Sequence, residues 1–118
     1  MPAYNFQLQF ADKVKTRNKR QTIRAERKDG RVPEVGELFR GFTGMRSKKC
    51  RFLIESRISE VLPIAIKPEG IWLAGVPLTE SEANSLALLD GFEDADAMCA
   101  WFSRTHGADF SGHLIRWL

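Results

Sequence analysis

Residues Tyr4 to Phe10 alternate in polarity: Tyr4, Phe6, Leu8 and Phe10 share one parity, and Asn5, Gln7 and Gln9 the other. A period of two predicts a half-buried strand. Ala11 to Arg17 has Val14 as its one large apolar residue and room for one or two helical turns. Gln21 to Arg24 predicts a short strand, with Ile23 turned to the core and Thr22 and Arg24 turned away. Ala25 to Glu34 is almost wholly polar, with a turn signal at Asp29-Gly30 and a breaker at Pro33. It reads as a mobile basic loop that either clamps a ligand or simply connects two strands. Glu37 to Phe42 predicts another strand, with Gly41 and Gly44 bounding a tight connection. Cys50 to Ile66 is the longest β-rich run, and Pro63 predicts a bend or bulge in it. Ile71 to Ala74 predicts a further short strand.

The pattern then changes to helical spacing. Thr79 and Glu82 have the spacing of a capping box. Ala83, Leu86, Ala87 and Leu89 supply an apolar stripe behind it, and Gly91 can end the helix in a left-handed conformation. Asp94 can cap a second helix, carried by Ala97, Met98, Trp101 and Phe102 and ended by Gly107. Leu114 to Leu118 reads as a closing strand. Mostly strands, then two short helices, then a last strand predicts an α+β domain built on a small curled sheet or barrel. The last strand would return beside an early one.

A chain of 118 residues fits one domain over residues 1–118, long enough to bury a core without metals or disulfides. No apolar run approaches the roughly 18 residues that span a bilayer. The N-terminus, Met1 to Phe6, lacks a signal pattern. A cytoplasmic protein with no membrane partner is expected, with a monomer as the default. Cys50 and Cys99 form no paired motif and read as free thiols. His106 and His113 have no cysteine or carboxylate at ligand spacing, so neither metal nor cofactor is expected. Phosphate-loop, dinucleotide-binding and nucleophile-elbow motifs do not occur, which leaves kinase, dehydrogenase and serine-esterase chemistry without support.

The net charge of +3 conceals an asymmetry. Residues 1–59 hold 15 of the 18 Lys and Arg and 6 of the 15 Asp and Glu, a net of +9. Residues 60–118 carry a net of −6. A basic half is the electrostatic footprint of a phosphate or nucleic-acid ligand, or a solvated face. The acidic half argues against indiscriminate coating of DNA. Trp72 and Trp117 lie on strand candidates and either fill the core or offer a base a stacking surface.

The densest chemistry is in Arg17-Asn18-Lys19-Arg20-Gln21-Thr22-Ile23-Arg24. Thr22 and Arg24 share a strand face, and Lys19 in the turn ahead can bend back over it. A lysine crowded by Arg20 and Arg24, or partly desolvated, loses proton affinity and can act as a base. A threonine hydroxyl becomes a nucleophile only within reach of such a base. A carboxylate is still needed to carry protons. Asp90, flanked by apolar residues at the end of a capped helix, is the candidate; the alternative is an ordinary turn residue beside Gly91. Arg20, Arg24, Arg27, Lys28 and Arg31 are the candidate phosphate contacts.

At these residues the chain resembles the ASCH family, relatives of the PUA RNA-binding domains, whose signature has the form GxKxxExR. Arg17 stands at the glycine, Lys19 and Arg24 match, and Thr22 stands at the glutamate. The threonine version, KxxTxR, is similar to small bacterial amidohydrolases that remove acetyl from N4-acetylcytidine. There the lysine and threonine act with a glutamate from further along; Asp90, one methylene shorter, aligns with it. The resemblance extends through Pro33 to Leu38, Asp90-Gly91-Phe92, Trp101-Phe102 and Ile115-Arg116-Trp117. It implies a PUA-like small mixed β-barrel of about five to six strands with two to three short helices. It also implies a cleft for RNA or a modified nucleoside beside Lys19, Thr22 and Arg24. An amidohydrolase with Lys19, Thr22 and Asp90 as its catalytic group is the alternative expectation.

Overall fold

The computed structural model describes residues 1–118. The elements are β1 (Ala3–Phe6), α1 (Leu8–Lys15), β2 (Gln21–Ala25), β3 (Leu38–Thr43) and β4 (Arg51–Lys67), then β5 (Gly70–Leu73), β6 (Val76–Pro77), α2 (Glu80–Asp90), α3 (Ala95–His106) and β7 (Phe110–Trp117). The domain is α+β, with three helices and a mixed sheet of seven strands that is not closed. Strand β1 pairs parallel with β3; the other pairings are antiparallel. One path runs β1-β3-β4-β7-β2, with β5 and β6 branching from the far end of β4.

The last strand does return beside an early one, since β7 pairs with β2 from Gln21↔Arg116 to Ala25↔Gly112. The two ends of the path, β1 and β2, share no strand pairing. They are bridged by a side chain instead: Arg24 Nη2 donates to the Asn5 carbonyl at 2.8 Å.

The strand expected over Tyr4–Phe10 stops at Phe6, and α1 starts at Leu8. Continued alternation would bury Leu8, yet Leu8 is 77% exposed. A helix turns Phe10, Ala11 and Val14 to one side, where all three are buried. Strand β4 runs unbroken through Pro63, in place of the expected bend. The Pro63 carbonyl accepts from Ala74 N at 2.8 Å, on the β5 side. Amide and carbonyl of one strand residue point the same way, so the missing N–H faces just past the end of β5 and costs no ladder bond.

The capping box of α2 forms as its spacing predicts: Thr79 Oγ1 accepts from Glu82 N, and Glu82 Oε1 accepts from Thr79 N. Such a cap stabilises a helix by about 1 kcal/mol. Gly91 then ends α2 at φ +97°. The buried face of α2 is Leu86, Ala87 and Asp90; Leu89, expected on the apolar stripe, is exposed.

Two cores flank the sheet. Ile23, Ile64, Leu114 and Phe110 pack under α2 and α3 with Leu86, Met98 and Phe102. Phe6, Phe39, Ile58, Ile115 and Trp117 pack under α1 with Ala11 and Val14. Strand β7 feeds both, because Leu114 and Ile115 face opposite ways. Trp117 therefore fills the second core, edge-on to Phe6.

Candidate functional site

Lys19 reaches the site through the turn that ends α1. Arg17 adopts φ +64°, a left-handed conformation that costs a non-glycine residue roughly 1 kcal/mol. Its side chain holds the turn in place by donating to the Leu118 carbonyl and to Ser56 Oγ. The Lys19 amide then folds back to the Lys13 carbonyl at 2.9 Å. This aims the Lys19 side chain inward, at the C-terminus of α2.

There Lys19 Nζ donates to the Asp90 backbone carbonyl at 2.5 Å and pairs with Asp90 Oδ1 at 3.2 Å. The last carbonyls of a helix lack internal partners and carry partial negative charge, so a lysine satisfies them well. Gln21 Nε2 also donates to Asp90 Oδ1, at 3.2 Å, and to the Leu86 carbonyl. The Lys19 and Asp90 side chains are 3% and 6% exposed. Nζ also lies 4.8 Å from the centroid of the Phe10 ring.

Burial dominates the protonation of both groups. It pushes Lys19 below the ordinary lysine value; Asp90 counteracts, while Arg24 and Lys13 add to the lowering. It pushes Asp90 above the ordinary carboxylate range, against the pull of Lys19, Gln21 and Arg24. Burial thus works against the charge on each partner, and the opposite charge of its neighbour works for it.

Strand β2 places the rest by its alternation. Gln21 and Ile23 face α2 and the first core; Thr22 and Arg24 face the opposite way. The Thr22 hydroxyl accepts from Arg24 Nε at 3.0 Å. It makes no hydrogen bond to Lys19, so a ligand or water must complete any relay between them.

Lys19, Thr22, Arg24 and Asp90 line one cavity of about 370 Å³. Its other walls include Phe10, Phe92, Trp101 and His106. Arg27 and Arg31 line a neighbouring cavity of about 420 Å³, which shares Arg24 with the first. Arg20 and Lys28 are exposed and line neither. No group of three or more His, Cys, Asp and Glu side chains gathers at metal-binding distance.

The aromatic walls are what sequence reasoning missed. Helical spacing places Trp101 in the core; it is half-buried, packs against the first core and also lines the cavity. Phe10 and Phe92 meet edge to face at 5.5 Å across the Asp90-Gly91 corner. A clue lay in Gly91: a Cβ there would stand 2.9 Å from Phe10 Cδ1. Gln21, the second partner of Asp90, carried no signal at all. No family model matches the chain, and neither does any curated protein or solved structure.

Proposed function

We propose that the Lys19 cavity binds a pyrimidine nucleoside, free or within RNA, with its base against the aromatic wall. The observation that carries this reading is a buried Lys–Asp pair set in a concave pocket of about 370 Å³ that Phe10, Phe92 and Trp101 also line. That volume lies in the usual range for small-ligand sites. Rings such as Phe10, Phe92 and Trp101 offer a base stacking worth about 1–3 kcal/mol per contact. Lys19, Asp90 and Thr22 are hydrogen-bonding groups for its polar edge. The ASCH reading is supported by Arg17, whose φ of +64° suits the glycine of that signature. A PUA-like barrel is supported by the curled path on which Arg24 of β2, at one end, reaches Asn5 of β1, at the other. Calorimetric titration with cytidine tests the reading. Micromolar to millimolar binding that weakens at least tenfold in Trp101→Ala is expected, and no heat at millimolar nucleoside would overturn it.

A second reading is favoured by the placing of Lys19, Thr22 and Asp90 on one cavity, with Lys19 3.2 Å from the Asp90 carboxylate: hydrolysis of an N4-acylcytidine to cytidine and a carboxylic acid. Lys19 in its neutral form accepts the Thr22 hydroxyl proton through a water as Thr22 Oγ1 attacks the acyl carbon. The C–N bond breaks, and the departing cytosine nitrogen receives a proton from the neutral carboxyl of Asp90. Water, deprotonated by the carboxylate now on Asp90, cleaves the threonyl ester; the proton taken by Lys19 returns to Thr22. Such groups contribute about 10²–10⁴-fold each. Mass spectrometry should detect cytidine released from N4-acetylcytidine by wild type, with at least a hundredfold less from Lys19→Ala and Thr22→Ala. Equal release by all three would refute the assignment; no release by wild type would leave a binding site.

A further inference from the structure

The two cavities that share Arg24 lie along the unpaired seam between β1 and β2. The Lys19 cavity takes Asn5 and Phe6 from β1 and Thr22 and Arg24 from β2. The second chamber takes Tyr4 from β1 and Arg24 from β2, together with His113 of β7, which pairs with Arg24 across the sheet. The Arg24 guanidinium lines both, 5.1 Å from the ring centroid of Tyr4 and 5.1 Å from that of Phe6.

Arg24 is a cation without a counter-ion. No carboxylate lies within ion-pair distance of it. Of the five N–H groups a guanidinium carries, two find protein acceptors, Thr22 Oγ1 and the Asn5 carbonyl. A partly desolvated charge of this kind is costly unless an anion joins it. Arg27 and Arg31 bring two more cations to the same chamber. Arg27 is tied only to Asp29, in a pair that is 61% and 46% exposed and so contributes little. The Arg31 side chain has no carboxylate partner. The single acid lining the chamber, Glu37, is turned to its own loop, with Oε1 accepting from Glu34 N.

We infer that the chamber lined by Arg24, Arg27, Arg31 and His113 is an anion subsite for the phosphate of a nucleotide or of an RNA strand whose base occupies the Lys19 cavity. This rests on the nucleoside reading and makes the ligand phosphorylated. Arg24 contacts both parts of the ligand: one edge faces the base cavity, and its open N–H groups face the phosphate. Tyr4 and Pro33 supply the apolar walls of the subsite.

The test is calorimetric titration of wild type and Arg31→Ala with cytidine, its 5′- and 3′-monophosphates, a short oligocytidylate and pyrophosphate. Arg31 is exposed, so its variant should fold. One monophosphate is expected to bind at least tenfold more tightly than cytidine. Arg31→Ala should erase that advantage and leave cytidine affinity unchanged. An oligonucleotide far tighter than either monophosphate identifies a strand phosphate, and equal affinity a mononucleotide. Equal binding of cytidine and both monophosphates overturns the subsite and leaves the base cavity standing. Pyrophosphate binding lost in Arg31→Ala, with no cytidine binding, upholds the subsite and removes the nucleoside reading. No binding by any probe overturns both.

Discussion

Burial drives Lys19 and Asp90 towards the same uncharged state from opposite directions, and that has a consequence for stability. Between the ordinary aspartate value and the raised value of Asp90, the native state holds a proton that the unfolded chain has lost. Stability therefore falls as pH rises through that window. Between the lowered value of Lys19 and the ordinary lysine value, the unfolded chain holds the extra proton, so stability rises again with pH. A tenfold difference in proton affinity between folded and unfolded chain corresponds to about 1.4 kcal/mol. Urea denaturation of wild type and of the double variant Lys19→Met, Asp90→Asn across pH 3 to about 10.5 should isolate both limbs as a difference. Stability that instead rises with pH up to the ordinary aspartate value and is level above it would mean a charged pair in the fold. Asp90 was foreseeable as a buried acid, since it falls four residues after Leu86 and three after Ala87 on the apolar stripe of α2. Its partner Gln21 was not, because a glutamine at a strand start has no pattern that separates a buried hydrogen-bonder from a surface residue.

At the scale of elements, the site depends on how closely β7 approaches β2. Gly112 sits opposite Ala25, and a Cβ on it would lie 2.1 Å from the Arg24 carbonyl oxygen. No strand spacing tolerates that distance, so Gly112→Ala must push β2 away and move Arg24 out of the seam. A loss of about 2–3 kcal/mol is expected, read as a lower urea midpoint, with nucleoside binding weakened in the remaining folded protein. An unchanged midpoint would show that β2 can shift at no cost and is not a rigid mount for Arg24. The strands β2, β3, β5 and β7 and the helices α2 and α3 were legible because caps, glycines and periodicity all agree there. Helix α1 was legible only in its second half, from Ala11: Tyr4, Phe6, Leu8 and Phe10 satisfy a period of two by sequence, and only packing of Phe10, Ala11 and Val14 settles the helical alternative for its first turn. The cavity walls were hidden for a related reason, because Trp101 at helix spacing looks the same whether its inner face meets a core or an opening.

Across the whole molecule, the positive charge of the first half does not act as one surface. Arg24, Arg27 and Arg31 converge on the seam, whereas Arg40 is taken up by Glu55. Arg20 and Lys28 stand exposed away from both cavities. A strand of RNA held in the seam would therefore displace counterions at about three phosphates rather than along a broad basic face. For single strands the logarithm of affinity falls with the logarithm of salt by roughly 0.7 per phosphate neutralised, which predicts a slope near −2. Replacing Arg27 and Arg31 by alanine together should bring the slope to roughly −0.7. Fluorescence anisotropy of a labelled oligocytidylate over a salt series measures both. A wild-type slope steeper than about −4 would require many more cations than the seam supplies, and would move the binding surface to the exposed lysines and arginines around Arg46 to Arg51.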